Sequence, residues 1–204
     1  MKKILVATTN YGKVREYREI FKQLELPVRL VSLKDLGIKS KAKEDGKTFK
    51  ENAIKKSDFY CKLTGLPTIA DDGGLEIDYL NGEPGIKSRR WPGYEASDKE
   101  LISLVLEKLK GVPIGKRTAK LKIILALSVP NQRTFTFEEK MDGVIAKEPL
   151  PKIIPGYPFR SIFYLPDAKM MFGELSFGEE VKIGHRRKAV ERAVPIIKKF
   201  ILDA

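Results

Sequence analysis

The chain of 204 residues is 42% hydrophobic and 32% charged, which is ordinary for a globular protein that can bury a sizeable core. No apolar run approaches the ~20 residues that span a bilayer, and the single cysteine, Cys61, excludes an internal disulfide, so we expect a cytoplasmic protein without a membrane partner. The net charge of +12 favours polyanionic partners, either nucleotides or nucleic acid, and does not choose between them.

The first half of the chain alternates between strand and helix patterns. Short apolar runs bounded by polar residues predict strands, and apolar residues spaced three and four apart predict helices. Capping pairs, Thr48 with Glu51 and Ser97 with Glu100, mark the starts of two helices. We predict, in chain order, a strand at 3–8, a helix at 12–24, a strand at 28–31, a helix at 48–63, strands at 67–70 and 75–79, and a helix from 97 to about 110.

The second half is richer in strands. Two segments, 118–129 and 133–145, are rich in β-branched and aromatic residues, and the short break between them predicts a long β-hairpin. A last helix is predicted at 184–202, bent near Pro195. Because helices alternate with strands at first and strands dominate later, we expect an α/β fold with a mixed sheet. Residues 1–204 form a single domain in this prediction, with two lobes and no linker.

Two loops carry residues of the types that can bind phosphate or metal. The segment Thr8-Thr9-Asn10-Tyr11-Gly12-Lys13 lies between a strand and a helix, where backbone N–H groups and a lysine form an anion site; alternatively, Asn10 simply caps the helix. The segment Asp71-Asp72-Gly73-Gly74 predicts an acidic turn. That turn is either capped by its own side chains or binds Mg²⁺, for which one aspartate and a second carboxylate such as Glu44 would suffice.

Three basic or aromatic segments are less specific. The loop from Pro84 to Trp91, which includes Arg90, suits phosphate contact or nothing specific. Tyr157 and Phe159 lie in a constrained loop, and His185-Arg186 begins a basic helix. A stacking ring with an arginine fork could hold a nucleobase. Since His185 is the only histidine, we give no weight to a Ser-His, Cys-His or multi-histidine metal site.

The order and spacing of these segments resemble the inosine triphosphate pyrophosphatase family almost from end to end. The matching blocks are Thr8–Lys13, Glu44–Lys56, Ile69–Glu76 with Leu80–Trp91, and finally Glu174-Leu175 with His185-Arg186. The third block is the most specific. The resemblance implies an elongated, two-lobed fold with the long hairpin in the outer lobe, and a homodimer.

The resemblance also implies an activity, which is the Mg²⁺-dependent hydrolysis of deaminated purine nucleoside triphosphates to a monophosphate and pyrophosphate. Glu44 and Asp72 would hold Mg²⁺, Asp72 would also activate water, and Asp71 would support that geometry. Lys13 would be the principal cation at the triphosphate. The implied substrate-binding residues are Thr8, Thr9, Asn10, Lys13, Lys56, Gly73, Arg90, Tyr157, Phe159, His185 and Arg186.

Four positions depart from the family pattern. Gly73 and Gly184 stand where the family has serines, Arg160 stands where it has an aspartate, and Glu180 replaces a substrate-contacting lysine. Two of these changes reverse a charge, so base specificity is where we expect this chain to differ. The alternatives are a pyrophosphatase with a shifted base preference and a non-catalytic nucleotide- or RNA-binding protein on the same scaffold.

Overall fold

The computed structural model describes residues 1–203, which form a mixed seven-stranded sheet and five α-helices. The strands are β1 (Lys2–Val6), β2 (Val28–Ser32), β3 (Thr68–Ile77), β4 (Thr118–Ser128), β5 (Phe135–Ile145), β6 (Phe163–Leu165) and β7 (Met170–Met171). The helices are α1 (Tyr11–Gln23), α2 (Phe49–Thr64), α3 (Asp98–Lys108), α4 (Phe177–Ile183) and α5 (His185–Ile197).

The strand order in the sheet is β2-β1-β3-β4-β5-β6-β7. β1 pairs in parallel with β2 and with β3, whereas β6 pairs antiparallel with β5 and with β7. The sheet is therefore mixed, as predicted. β4 and β5 are neighbours in the sheet, which agrees with the hairpin expected from their short connection.

Local capping explains where the predicted helices begin and end. The side chain of Asn10 accepts the first hydrogen bond of α1, and Thr48 does the same for α2. Ser97 and Glu100 form the reciprocal capping box of α3. α2 ends at Gly65, whose φ of +67° lies in the left-handed region that glycine adopts without strain.

The predicted acidic turn is wrong, because Asp71, Asp72, Gly73 and Gly74 all lie within the continuous strand β3. The strands predicted at 67–70 and 75–79 are one strand. Glycine accepts extended backbone, and the place of β3 between β1 and β4 favours extended backbone over a turn. Successive side chains of a strand point to opposite faces, so Asp71 and Asp72 project in different directions.

The end of the chain also differs from the prediction. α5 runs through Pro195, where a bend was predicted, and stops at Ile197; Lys198–Leu202 continues as a π-helical turn. The elements β6, β7 and α4 were not predicted, because stretches of two to seven residues are too short to show a clear hydrophobic period. Within residues 1–203, no helix has both the length and the apolar composition that crossing a bilayer requires.

The chain forms two compact units. The first contains Met1–Asp72, Ile123–Glu139 and the described residues from Val181 onward, and the second contains Gly73–Lys122 and Lys140–Glu180. Apolar side chains of β1, β2 and α2 are buried within the first unit. A larger core, which includes Leu101, Phe163 and Phe172, is buried within the second. The residues around the β4–β5 connection belong to the first unit.

Candidate active site

The loop between β1 and α1 brings Lys13 to Asp71. Thr8 Oγ1 accepts a hydrogen bond from the Asn10 N–H at 3.1 Å, and Asn10 Oδ1 accepts one from the Lys13 N–H at 3.2 Å. These bonds hold the loop and confirm the capping role of Asn10. Lys13 Nζ lies 3.0 Å from Asp71 Oδ1. A helix N-terminus and a lysine charge thus occur together, which is a combination that attracts anions.

Asp71 is buried and forms ion pairs with two cations. Its side chain is 2% exposed and pairs with the Lys13 ammonium group and the Arg186 guanidinium. Burial by itself raises the pKa of Asp71, but Lys13, Arg186 and Lys56 outweigh burial and hold that pKa well below its usual value. Asp71 therefore stays charged at neutral pH and is a poor proton acceptor.

Asp72 has the opposite electrostatic environment. Burial raises the pKa of Asp72, and the opposing effects of the Lys56 charge and the Asn52 hydrogen bond do not cancel that rise. The Glu44 carboxylate raises the pKa of Asp72 further. The two adjacent aspartates are therefore suited to different tasks, since Asp72 binds a proton or a cation more readily than Asp71 does.

Lys56 links the predicted metal ligands to β3. Its Nζ lies 2.7 Å from Glu44 Oε2 and donates a hydrogen bond to the Asp71 carbonyl oxygen at 3.2 Å. Burial lowers the pKa of Lys56, but Glu44, Asp71 and Asp72 outweigh burial and leave that pKa above its usual value. Lys56 is therefore a permanent positive charge beside three acidic residues.

Glu44 and Asp72 have the ligand chemistry that Mg²⁺ requires, but two carboxylates alone do not complete its coordination. Among residues 1–203, no group of three or more His, Cys, Asp or Glu side chains could hold a metal by itself. Mg²⁺ usually binds through one or two carboxylates, with phosphate oxygens and water as the other ligands. Asp72, whose pKa the Glu44 carboxylate helps to raise, and Glu44 itself are carboxylates of this kind.

Arg186 lies beside Asp71. The family resemblance had implied that Arg186 contacts the nucleotide base. Arg186 Nε donates to Asp71 Oδ2 at 2.9 Å, and Nη1 donates to Glu16 Oε2 at 2.7 Å. All three side chains are buried. Arg186 therefore fixes the start of α5 against β3 and α1. Sequence reasoning missed Glu16, because a single acid within the apolar pattern of α1 does not reveal its partner.

Within the second unit, the two charge-reversed positions contact each other. Arg160 Nη1 lies 2.5 Å from Glu180 Oε2, and both side chains are buried. The Arg160 guanidinium carbon lies 3.9 Å from the centroid of the Tyr157 ring and 4.8 Å from that of Phe172. Both rings therefore make cation–π contacts with the guanidinium. In this chain, the two positions form a buried pair with no net charge.

The other predicted substrate residues of the second unit differ in their exposure. Phe159 packs into the hydrophobic core, whereas Tyr157 is partly exposed. Arg90 is exposed at the end of the 3₁₀ segment Gly85–Arg90. Its neighbour Arg89 has a structural role, because its Nη1 pairs with Asp98 at 2.5 Å. A base-stacking ring needs an accessible face, which favours Tyr157 over Phe159.

The chain belongs to the Ham1 family, whose profile matches residues 4–196. It is 38% identical to a dITP/XTP pyrophosphatase of Bacillus licheniformis over 192 residues, which cover 94% of this chain and 96% of that protein. A dITP/XTP pyrophosphatase of Bacillus subtilis is 37% identical over 97% of this chain and 98% of its own length.

Solved structures agree with this assignment. The Ham1 protein of Staphylococcus aureus has a TM-score of 0.82 and 32% identity, covering 97% of this chain and 98% of its own. A HAM1 protein from Coxiella burnetii has a TM-score of 0.83 and 33% identity, covering 98% of this chain and 100% of its own. The predicted family and the predicted α/β fold with a mixed sheet are confirmed.

Proposed function

We propose that this protein hydrolyses deaminated purine nucleoside triphosphates, such as dITP and XTP, to the monophosphate and pyrophosphate with Mg²⁺ as cofactor. Relatives named for this activity match nearly the whole chain. The observation that carries the proposal is the arrangement within the first unit. There, Lys13, Lys56 and the start of α1 supply positive charge beside Glu44 and the two aspartates of β3.

The basic and acidic residues of the site have different roles in this proposal. The N–H groups of the Thr8–Lys13 segment and the Lys13 ammonium group bind the triphosphate, and Lys56 adds a second cation. Asp71 remains ionised and keeps Lys13 in place through their 3.0 Å contact. Each ammonium group has three N–H donors, so each lysine can bind a phosphate oxygen and keep its carboxylate contact.

Asp72 is the proposed proton acceptor. It takes a proton from water as the water oxygen forms a bond to phosphorus and the anhydride bond between the α and β phosphates breaks. The bonding electrons leave with the departing phosphate oxygen, whose charge Lys13 and Lys56 offset. Glu44 and Asp72 would hold Mg²⁺, which would supply further neutralisation of the phosphate charge.

The base-binding residues in this proposal are His185, at the start of α5, and Tyr157 as the stacking ring. Thr8, Thr9 and Asn10 contact phosphate, and Gly73 and Arg90 contribute on the substrate side as the family resemblance implies. We further propose that the protein is cytoplasmic and forms a homodimer. Light scattering of the purified protein tests the homodimer.

A panel of nucleoside triphosphates with Mg²⁺, scored by pyrophosphate release, tests the activity. We expect hydrolysis of dITP and XTP, its loss on chelation of the metal, and its loss in the variant Asp72→Asn. The matched control is Asp78→Asn, because Asp78 is an exposed aspartate of the second unit that pairs with Lys120. This control should retain wild-type activity.

Absence of pyrophosphate release from every nucleotide in the panel would refute the proposal. Tight RNA binding with a steep dependence on salt, without turnover, would instead support the non-catalytic alternative. Efficient turnover of another nucleotide, with dITP and XTP as poor substrates, would indicate a shifted base preference.

A further inference from the structure

Asn52, on the first turns of α2, connects the two segments that carry the proposed metal ligands. Its Oδ1 accepts a hydrogen bond from the backbone N–H of Gly46 at 2.7 Å. Its Nδ2 donates a hydrogen bond to Asp72 Oδ2 at 3.0 Å. One side-chain amide thus joins the loop after Glu44 to the carboxylate of Asp72.

The chemistry of these two contacts is specific to an amide. The backbone N–H needs an acceptor and the ionised carboxylate needs a donor, and the asparagine amide offers one of each on adjacent atoms. Asn52 is 6% exposed, so water cannot easily replace either contact. The approach at Gly46 is also tight, because a Cβ there would lie 2.6 Å from Asn52 Oδ1 and 2.8 Å from Glu51 Cβ.

The same helix holds Glu44 through a second contact. Lys56 lies four residues after Asn52 and therefore on the same face of α2, and its Nζ pairs with Glu44 Oε2 at 2.7 Å. Lys47 N–H also donates to Glu51 Oε2 at 2.7 Å, which fixes the end of the loop to the helix start. α2 therefore contacts both the Glu44 segment and the Asp72 carboxylate.

We propose that Asn52 is a positioning residue that sets the placement of Glu44 relative to Asp72 and thereby the affinity for the divalent cation. The inference rests on the proposed function for its metal site. Residues that orient metal ligands through hydrogen bonds typically change metal affinity or activity by about 10- to 100-fold when they are removed.

Three variants separate the two contacts. Asn52→Ala removes both, Asn52→Leu removes both while keeping a side chain of similar size, and Gly46→Ala displaces the loop while the donor to Asp72 remains. Ser57→Ala is the matched control. Ser57 is also a buried polar residue of α2, but it bonds to the Ile54 carbonyl at 3.1 Å and to Ser128 at 2.8 Å.

The assay measures Mn²⁺ binding by electron paramagnetic resonance, in the presence of an inosine triphosphate analogue with a methylene group between the α and β phosphates. The Mg²⁺ concentration at half-maximal turnover and the melting temperature are measured in parallel. For each of the three variants we expect Mn²⁺ binding weakened by about tenfold or more, with a matching rise in the Mg²⁺ midpoint. Ser57→Ala should lose thermal stability without a change in either value.

Mn²⁺ binding within about twofold of wild type in the variants that fold would overturn the inference, whatever happens to their melting temperature. An equal weakening in Ser57→Ala would also overturn it, since the effect would then reflect α2 as a whole. If Asn52→Ala does not fold, Asn52→Leu and Gly46→Ala give the same test. Because Mn²⁺ binding requires no turnover, an inactive wild type would refute the proposed function and still leave the role of Asn52 measurable.

Discussion

Replacing Arg186 by methionine is the most direct test of how the site is held together. Methionine keeps a long apolar side chain in the same space and removes the guanidinium that bonds Asp71 and Glu16. Removing one partner of a buried ion pair costs about 3–5 kcal/mol, because a charge remains in a poorly solvated place. For a chain of this length, that loss corresponds to a melting temperature lower by roughly 6–20 °C.

The measurement is denaturant and thermal unfolding of Arg186→Met beside Arg192→Met. Arg192 also lies on α5 and pairs with Glu139, but its side chain is 58% exposed, and such a surface pair contributes only about 0–1 kcal/mol. Adding Glu16→Gln to Arg186→Met should recover part of the loss, since it neutralises one of the two carboxylates. Arg186→Lys provides a milder change if the methionine variant does not fold.

A loss in Arg186→Met no larger than that in Arg192→Met would refute this reasoning. The alternative role, a direct contact with the base, has a different signature. It predicts nearly unchanged stability and a KM that rises for inosine triphosphate more than for other nucleotides. The two roles are therefore distinguished by one pair of measurements on the same variant.

Three further outcomes follow from the charges of both units. The pKa of Asp71 is lower in the folded protein than in the unfolded chain, where it is about 4. The ionised carboxylate therefore stabilises the fold above about pH 4, and this stabilisation is lost as the pH falls towards the folded-state pKa. The free energy of unfolding of Asp71→Asn should therefore fall less steeply below pH 4 than that of the wild type. The raised pKa of Asp72 has the opposite sign, so its charge opposes folding at neutral pH. Asp72→Asn should melt at a higher temperature than wild type while losing activity, and an equal or lower melting temperature would contradict this. In the second unit, Arg160→Asp and Glu180→Lys should each lose about 3–5 kcal/mol of unfolding free energy, and the double exchange should recover most of it in a double-mutant cycle.

The contrast between the two aspartates explains why stability and activity are expected to diverge at this site. Asp71 is surrounded by cations and stabilises the fold as a carboxylate. Asp72 is held in a partly buried position where its charge is unfavourable until a cation or a proton arrives. If Asp72 binds a divalent cation as proposed, this unfavourable charge in the ligand-free state lowers the stability of the fold.

Local signals in the sequence were sufficient for most helices and strands. The caps at Asn10 and Thr48, the capping box at Ser97 and the glycine stop at Gly65 each depend on residues within one turn, so their chemistry can be recognised without tertiary information. The family resemblance rested on the order of motifs along the chain, and it predicted the family and fold correctly.

Tertiary structure decided the features that depend on distant residues. Two glycines after two aspartates favour a turn by composition, but the sheet pairing of β3 keeps them extended and separates the directions of Asp71 and Asp72. The contacts of Arg186 join it to residues 115 and 170 positions away in the chain. No local pattern predicts such pairs, because a buried charge is stabilised by whichever partner the fold brings within bonding distance.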